Sequence, residues 1–482
     1  MSRFITNVIK LGSATVIAQV MGILLIPIIT RLYAPADFGI NQIFVSTVLI
    51  VGTISCLSYQ FSILLPKTDR EGAHIVLLCF FLIVAVSCVA GVFFWIFSGQ
   101  MEDVLSVPGF SQYIFLLPIG IFLHGSVLVL SAWLSRRERF GTIALSKVSS
   151  SLSNKGVQIG FGLISPSPLG LIAGSLANNA VYSVVMLKGI QTDLKYFRNF
   201  SFSEMKVLAN RYRKFPIFSS GSLLANVISV NIPSFMLAIF FGPAVVGFFS
   251  IANNLVKLPT KLIGDALGDV VFQKISEENR ISGEIHNVVS QVHRRLISIG
   301  IFPFLVLMII GEELFSIFLG DNWAIAGLYA KILAPWVFFV FISAPLASVF
   351  NVLERQGTGF AFNVAILGSR VVALYIGGAY GGPVTALVLF SGTGVIFWGW
   401  MNMFILRSAG VSISDSAVDI IRYLLIGCVI VSPLIIGKYF DLGSVMLVFL
   451  AAAVTLVYYL VIVIDDVVLR EELIRMIRER GG

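Results

Sequence analysis

The sequence predicts an all-α polytopic membrane protein of about fourteen transmembrane helices, and three observations predict it. Of 482 residues, 57% are hydrophobic and only 12% are charged, with a mean hydropathy of +0.95, whereas a soluble chain carries about 25% charged residues. Apolar stretches of about twenty residues recur from end to end, each long enough to cross a hydrocarbon core of roughly 30 Å at 1.5 Å per residue. A short motif also repeats 208 residues apart, which divides the chain into two halves.

Breaks at Pro, Gly and charge clusters place spans near 8–30, 39–65, 75–97, 113–134, 143–164, 169–187, 216–241, 244–272, 296–319, 326–350, 360–377, 384–406, 420–437 and 443–464. The first lacks a small-residue cleavage site and is read as a retained span, not a signal peptide. An even number of spans puts both termini on one side, and the positive-inside rule makes that side the cytoplasm. With this orientation 25 of the 33 Lys and Arg lie inside, and the outside loops hold only Arg31 and Lys438. The outside loop Ser98–Gln112 has Glu102 and Asp103 and no cation. The basic excess is thus sorted by membrane side, and no nucleic acid partner is expected. Cys56, Cys79, Cys88 and Cys428 all fall in apolar stretches without a CxxC pair, and are read as small core residues.

The segment 188–215 contains Ser201-Phe202-Ser203-Glu204, a capping-box pattern, before a basic amphipathic stretch ending Arg211-Tyr212-Arg213-Lys214. It predicts an interfacial helix linking the halves, anchored on membrane lipids or docking a partner, and the tail from Asp466 reads the same way. The repeat is Pro35-Ala36-Asp37-Phe38-Gly39 against Pro243-Ala244-Val245-Val246-Gly247, each in the outside turn of a hairpin. Lys155 precedes Pro168 by 13 residues and Arg370 precedes Pro383 by 13, so the fifth and eleventh spans each carry one cation at the same depth. Six spans separate the copies, which gives the halves the same orientation, as in parallel-repeat transporters.

Charges inside spans are costly, roughly 2.5–3.5 kcal/mol at mid-bilayer, and normally face a wet cavity or a partner. Lys155 lies about twelve residues, roughly 18 Å, inside its span, beyond the reach of snorkelling, with Asn154 and Gln158 beside it. Arg370 is nine or ten residues inside its own span. Neither span contains an acidic residue; a structural ion pair with another helix is the alternative reading. Lys257, Lys261, Asp265 and Asp269 are spaced four apart in the eighth span, a polar stripe on one helix face that would line the interior, unless the span ends before Lys257. Asp265 is a candidate to carry a coupling proton, or pairs with Lys261. Arg31, at the outer end of the first span, either meets an anionic group leaving the cavity or anchors at headgroups. His124 is read as a packing residue and Lys331 as snorkelling outward.

A cavity lined by Lys155, Arg370, Lys257 and Lys261 is cationic and calls for an anionic substrate. Arg and Lys suit phosphate, and a lipid-linked pyrophosphate would keep its tail in the bilayer while its head used the cavity. There is no Walker loop, GxSxG, HExxH or acidic metal cluster. The chain is therefore not expected to be an enzyme, and no cofactor or metal is expected.

At this point the chain resembles the Wzx-type polysaccharide (O-antigen) flippases of the multidrug/oligosaccharidyl-lipid/polysaccharide (MOP) exporter superfamily. The residues that carry the resemblance are Arg31-Leu32-Tyr33-Ala34-Pro35-Ala36-Asp37-Phe38-Gly39, Arg136-Arg137-Glu138-Arg139-Phe140, Gly320-Asp321-Asn322-Trp323 with Ala326-Gly327, and Glu354-Arg355-Gln356. Their order covers essentially the whole chain. The resemblance implies two six-helix lobes related by pseudo-twofold symmetry, 1–187 and 216–406, joined by the linker 188–215 and followed by two extra helices and a basic tail, 407–482. It also implies ion-gradient-driven alternating access, moving undecaprenyl-diphosphate-linked oligosaccharide across the bacterial inner membrane, alongside other polysaccharide assembly proteins. A multidrug antiporter of the same superfamily would share the scaffold, but the first and seventh spans lack the carboxylate that proton-coupled members typically need. A membrane glycan polymerase or ligase should present a large outside loop, and the longest here is about fifteen residues.

Overall fold

The computed structural model describes residues 19–198, 200–281, 284–353 and 356–465, and all its regular elements are helices. The start of the first span, Glu354-Arg355 and the basic tail lie outside the described residues, as do the side chains of Asp265 and Asp269. Eleven helices are long and apolar enough to cross a membrane. Two shorter apolar helices, α1 (Gln19–Leu32) and α10 (Pro243–Val256), fill two more of the expected positions. The last belongs to α6 (Phe140–Ile164), whose Ser149, Ser150, Ser151, Ser153, Asn154, Lys155 and Gln158 make it too polar to qualify by hydropathy. The surface is that of a protein solvated by lipid: Trp95, Ile164, Val429 and Phe449 are each at least 70% exposed. Such side chains are stable there only in hydrocarbon, and the protein is a multi-pass membrane protein.

The chain packs as two units. The first draws on the chain up to Ser250 and on Asn363–Ala386; the second on Ile251–Phe362 and the chain from Leu387 onward. In the first unit α2 (Pro35–Ile54) packs on α5 (Leu117–Arg136), α7 (Pro168–Ile190) and α9 (Ser220–Phe241), while α3 (Asp69–Ile96) packs on α5, and α6 forms a hairpin with α7. In the second unit α12 (His286–Leu319) packs on α13 (Ala324–Ser343), α17 (Ile413–Tyr439) and α18 (Ser444–Asp465).

Local chemistry sets the helix ends. Pro35 and Pro168 stand in the first turns of α2 and α7, where a missing N–H costs nothing. Pro383 opens α16 (Pro383–Ser408). The Asp37 carboxylate accepts from the Ala34 N–H at 2.9 Å, and Thr68 Oγ1 accepts from the Glu71 N–H at 3.3 Å ahead of α3. The second span is shorter than expected: α2 ends at Ile54, left-handed Leu57 and Ser58 follow, and a 3₁₀ turn, Tyr59–Leu64, completes it. A helix, α8 (Phe202–Arg211), forms where the sequence predicts one, capped by Ser201 Oγ accepting from the Glu204 N–H at 3.3 Å. Its Leu208 joins the core that surrounds Trp133, and the Glu204 side chain accepts from Arg70 at 2.8 Å.

The eighth span departs most from expectation. It is not one helix: α10 ends at Val256, a π-helical turn runs Thr260–Gly264, and α11 spans Asp265–Ile281. Pro259, which has no N–H for the ladder, stands at the break. A π turn adds a residue per turn, so the regular α-helical register that a spacing of four assumes is interrupted between Lys257 and Asp265.

Three interior prolines show how a membrane helix tolerates lost hydrogen bonds. Pro233 in α9 frees the carbonyl of Ser229, Pro303 in α12 frees that of Ile299, and Pro433 in α17 frees that of Val429. Each finds a side-chain donor: Arg370 Nη1 at 2.8 Å, Tyr459 Oη at 3.0 Å and Ser432 Oγ at 2.7 Å. With no water in hydrocarbon, such donors offset the cost of these three prolines.

Candidate functional site

Lys155 sits mid-way along α6, and its ammonium donates to Gln158 Oε1 at 3.3 Å. Among the described residues no carboxylate pairs with it. The helix is held by the end of the first span, since Tyr33 Oη donates to the Gln158 carbonyl at 2.6 Å, one turn from Lys155. Arg370, on α15 (Gln356–Tyr380), is 8% exposed and donates through Nη1 to the carbonyl and, at 3.0 Å, to the hydroxyl of Ser229. A guanidinium has five donors. Arg370 therefore has a structural role in closing the break that Pro233 makes, signalled by the spacing of four between Ser229 and Pro233.

Lys155 and Arg370 belong to the first unit, Lys257 and Lys261 to the second. The Lys257 ammonium lies 4.6 Å from the centroid of the Trp336 ring, a cation–π contact that favours the charged form. Lys261 is exposed one turn further on, its N–H bonded to the Lys257 carbonyl at 3.0 Å. Arg31 is exposed at the end of α1. Asp265 opens α11, but its side chain is outside the described set.

Several polar groups escape a reading by span and charge. The Arg136-Arg137-Glu138-Arg139 motif, one of those that carry the family resemblance, forms an ionic clasp. Arg136 and Arg137 hold Asp69, while Asp193, 1% exposed, accepts from Arg139 at 2.9 Å and from Trp133 Nε1 at 3.1 Å. His293, placed outside any predicted span, is 2% exposed inside α12, with Asn402 Oδ1 at 3.1 Å from Nε2 and Ser416 Oγ at 3.4 Å from Nδ1. Lys331 does not simply snorkel: it pairs with Glu312 at 2.7 Å. Cys56 and Cys79 are buried as expected, but Cys88 and Cys428 are exposed, on the outer faces of apolar helices. Among the described residues no group of His, Cys, Asp and Glu is arranged to hold a metal.

A bundle of lipid-exposed helices with a half-buried lysine in its most polar member defines the class: a multi-pass membrane transporter. The chain belongs to the polysaccharide biosynthesis protein family, which matches it over residues 28–326, and the resemblance to Wzx-type flippases read from its motifs stands. It is similar to the lipopolysaccharide biosynthesis protein WzxC of Escherichia coli (strain K12), 22% identical over 377 residues, 77% of this chain and 74% of that protein. It is also similar to the succinoglycan biosynthesis transport protein ExoT of Rhizobium meliloti (strain 1021), 24% identical over 311 residues, 62% of this chain and 59% of that one. Its fold is similar to that of the lipid II flippase MurJ in an inward closed conformation, with a TM-score of 0.74 at 14% identity, covering 95% of this chain and 99% of that one.

Proposed function

We propose that the protein is a flippase that carries an undecaprenyl-diphosphate-linked oligosaccharide, the repeat unit of an O-antigen, capsule or exopolysaccharide, from the cytoplasmic to the periplasmic leaflet of the inner membrane. In this reading the lobes 1–187 and 216–406 alternate access to a cationic path, the segment 188–215 links them, the helices of 407–482 flank them, and both termini are cytoplasmic. The observation that carries it is Lys155: a cation deep in a span-length helix, bonded to an amide and to no described carboxylate. A fixed charge in a low-dielectric interior is stable beside a mobile counter-charge, and a diphosphate supplies one each time it passes. Arg370, Lys257, Lys261 and Arg31 are the further cations of the path. An ion gradient drives the cycle, with Asp265 as the candidate carrier of the coupling proton.

The test is complementation of a deletion strain. Lys155→Ala is expected to insert normally and abolish surface polysaccharide, while Lys155→Arg, which keeps the charge, retains part of it. Full export by an inserted Lys155→Ala protein would overturn the reading. Arg370→Ala is the weaker test, because it also leaves the Ser229 carbonyl without that donor.

A further inference from the structure

Inside the first unit, α2, α5, α6 and α7 line a half-open cavity of about 280 Å³. Its wall is apolar on one side, at Phe44 and Leu49, and polar on the other, at His124, Asn154, Asn178 and Asn179. No Lys, Arg, Asp or Glu lines it. The three asparagine amides make no hydrogen bond within the protein among the described residues. Asn154 Oδ1 is closed off by the backbone near Gly174, so toward the cavity this amide presents its Nδ2 donors. His124 has only the Thr53 hydroxyl, 3.4 Å from Nε2.

Unbonded amides in a membrane interior are expensive, and polar groups so placed normally meet a ligand or ordered water. Each amide offers two donors and one acceptor, which matches hydroxyl groups that both give and take a hydrogen bond. A neutral lining favours a neutral ligand. The volume is close to the lower end of the roughly 300–1,000 Å³ of small-molecule sites, room for one ring and not for a chain of them. It is also many times the roughly 30 Å³ that one water occupies in the liquid. Asn154 is the chain neighbour of Lys155, about 1.5 Å along the helix axis and about 100° around it, so the cavity lies at the depth of the cation assigned to the diphosphate, on an adjacent sector of α6.

We propose that this cavity binds the sugar ring directly attached to the diphosphate, a neutral pyranose held by the amides of Asn154, Asn178 and Asn179 against Phe44 and Leu49. The proposal rests on the reading of the protein as a carrier of diphosphate-linked glycan. It gives the first unit two recognition elements, a lysine that selects the phosphate and asparagines that select the sugar following it.

The test uses the full-length protein in nanodiscs, with binding read by native mass spectrometry. One probe is undecaprenyl diphosphate; the other is the lipid-linked oligosaccharide extracted from a strain lacking this protein. Asn178→Leu and Asn179→Leu, nearly isosteric, are expected to weaken the glycolipid about tenfold each while undecaprenyl diphosphate stays within about twofold. Lys155→Ala is expected to weaken both probes. Glycolipid binding unchanged in the asparagine variants would mean that the cavity holds only water, and would overturn the proposal. Equal loss of both probes would also overturn it, since the amides would then serve the fold or the phosphate. Loss of neither probe in Lys155→Ala would instead overturn the diphosphate reading, so the two failures are distinguishable.

Discussion

Tyr459 shows how a single hydroxyl can hold a helix in hydrocarbon. It donates to the Ile299 carbonyl that Pro303 leaves open, so Tyr459→Phe is expected to lower stability by about 1 kcal/mol. In a Pro303→Ala background the restored N–H takes over that carbonyl, and the same change should cost much less; thermal unfolding in detergent over the four proteins of the cycle measures the coupling. Outside the spans, the Ser111 hydroxyl, with the N–H groups of Gly109 and Ser111, holds the Glu102 carboxyl below its ordinary range. A depressed folded-state value stabilises the loop above the ordinary carboxylate pKa, and the contribution is lost as pH falls through the lowered one. Protease resistance of the loop 98–112 should accordingly fall on acidification, and Glu102→Gln should flatten that dependence. At this scale the depth of Lys155 was legible, because hydropathy and helical rise depend only on position in the chain. The partner of Arg370 was not, since Ser229 lies 141 residues away.

At the scale of elements, the two copies of the repeat motif meet. A methyl group on Gly39 would lie 1.8 Å from the Pro243 carbonyl oxygen, and one on Gly247 would lie 1.8 Å from the Pro35 carbonyl oxygen. The contact is reciprocal, as expected of motifs related by a twofold operation, and it brings the first turns of α2 and α10 within backbone contact. Gly39→Ala and Gly247→Ala should each force those turns apart at a cost of about 1–3 kcal/mol, and the double variant should cost less than their sum, because the first methyl already opens the gap. Comparable melting shifts for the single variants, with sub-additivity in the double, would check this. The repeat could be read from Pro and Gly spacing, and the helix starts at Pro35, Pro168 and Pro383 followed from proline chemistry. The end of α10 at Val256 agrees with the alternative that closes the eighth span before Lys257, and Pro259 is the sequence feature that marks the break.

For the whole molecule, the distribution of Lys and Arg predicts topology. In a cysteine-free background, Ser106→Cys should react with an impermeant maleimide in intact cells, and Ser203→Cys only after the cells are opened. The opposite labelling would invert the orientation and the direction of transport. The sequence alone determined that this is a helical membrane protein, roughly where it crosses and that a motif repeats between its halves, because lipid acts on each segment through local hydropathy and charge. Only the tertiary structure decided which distant side chains bond the carbonyls that Pro233 and Pro303 leave open, that the Arg136–Arg139 motif clasps Asp69 and Asp193, and that three asparagines share a cavity. Those outcomes depend on which helix faces meet, and facing is fixed by packing between residues far apart in the chain.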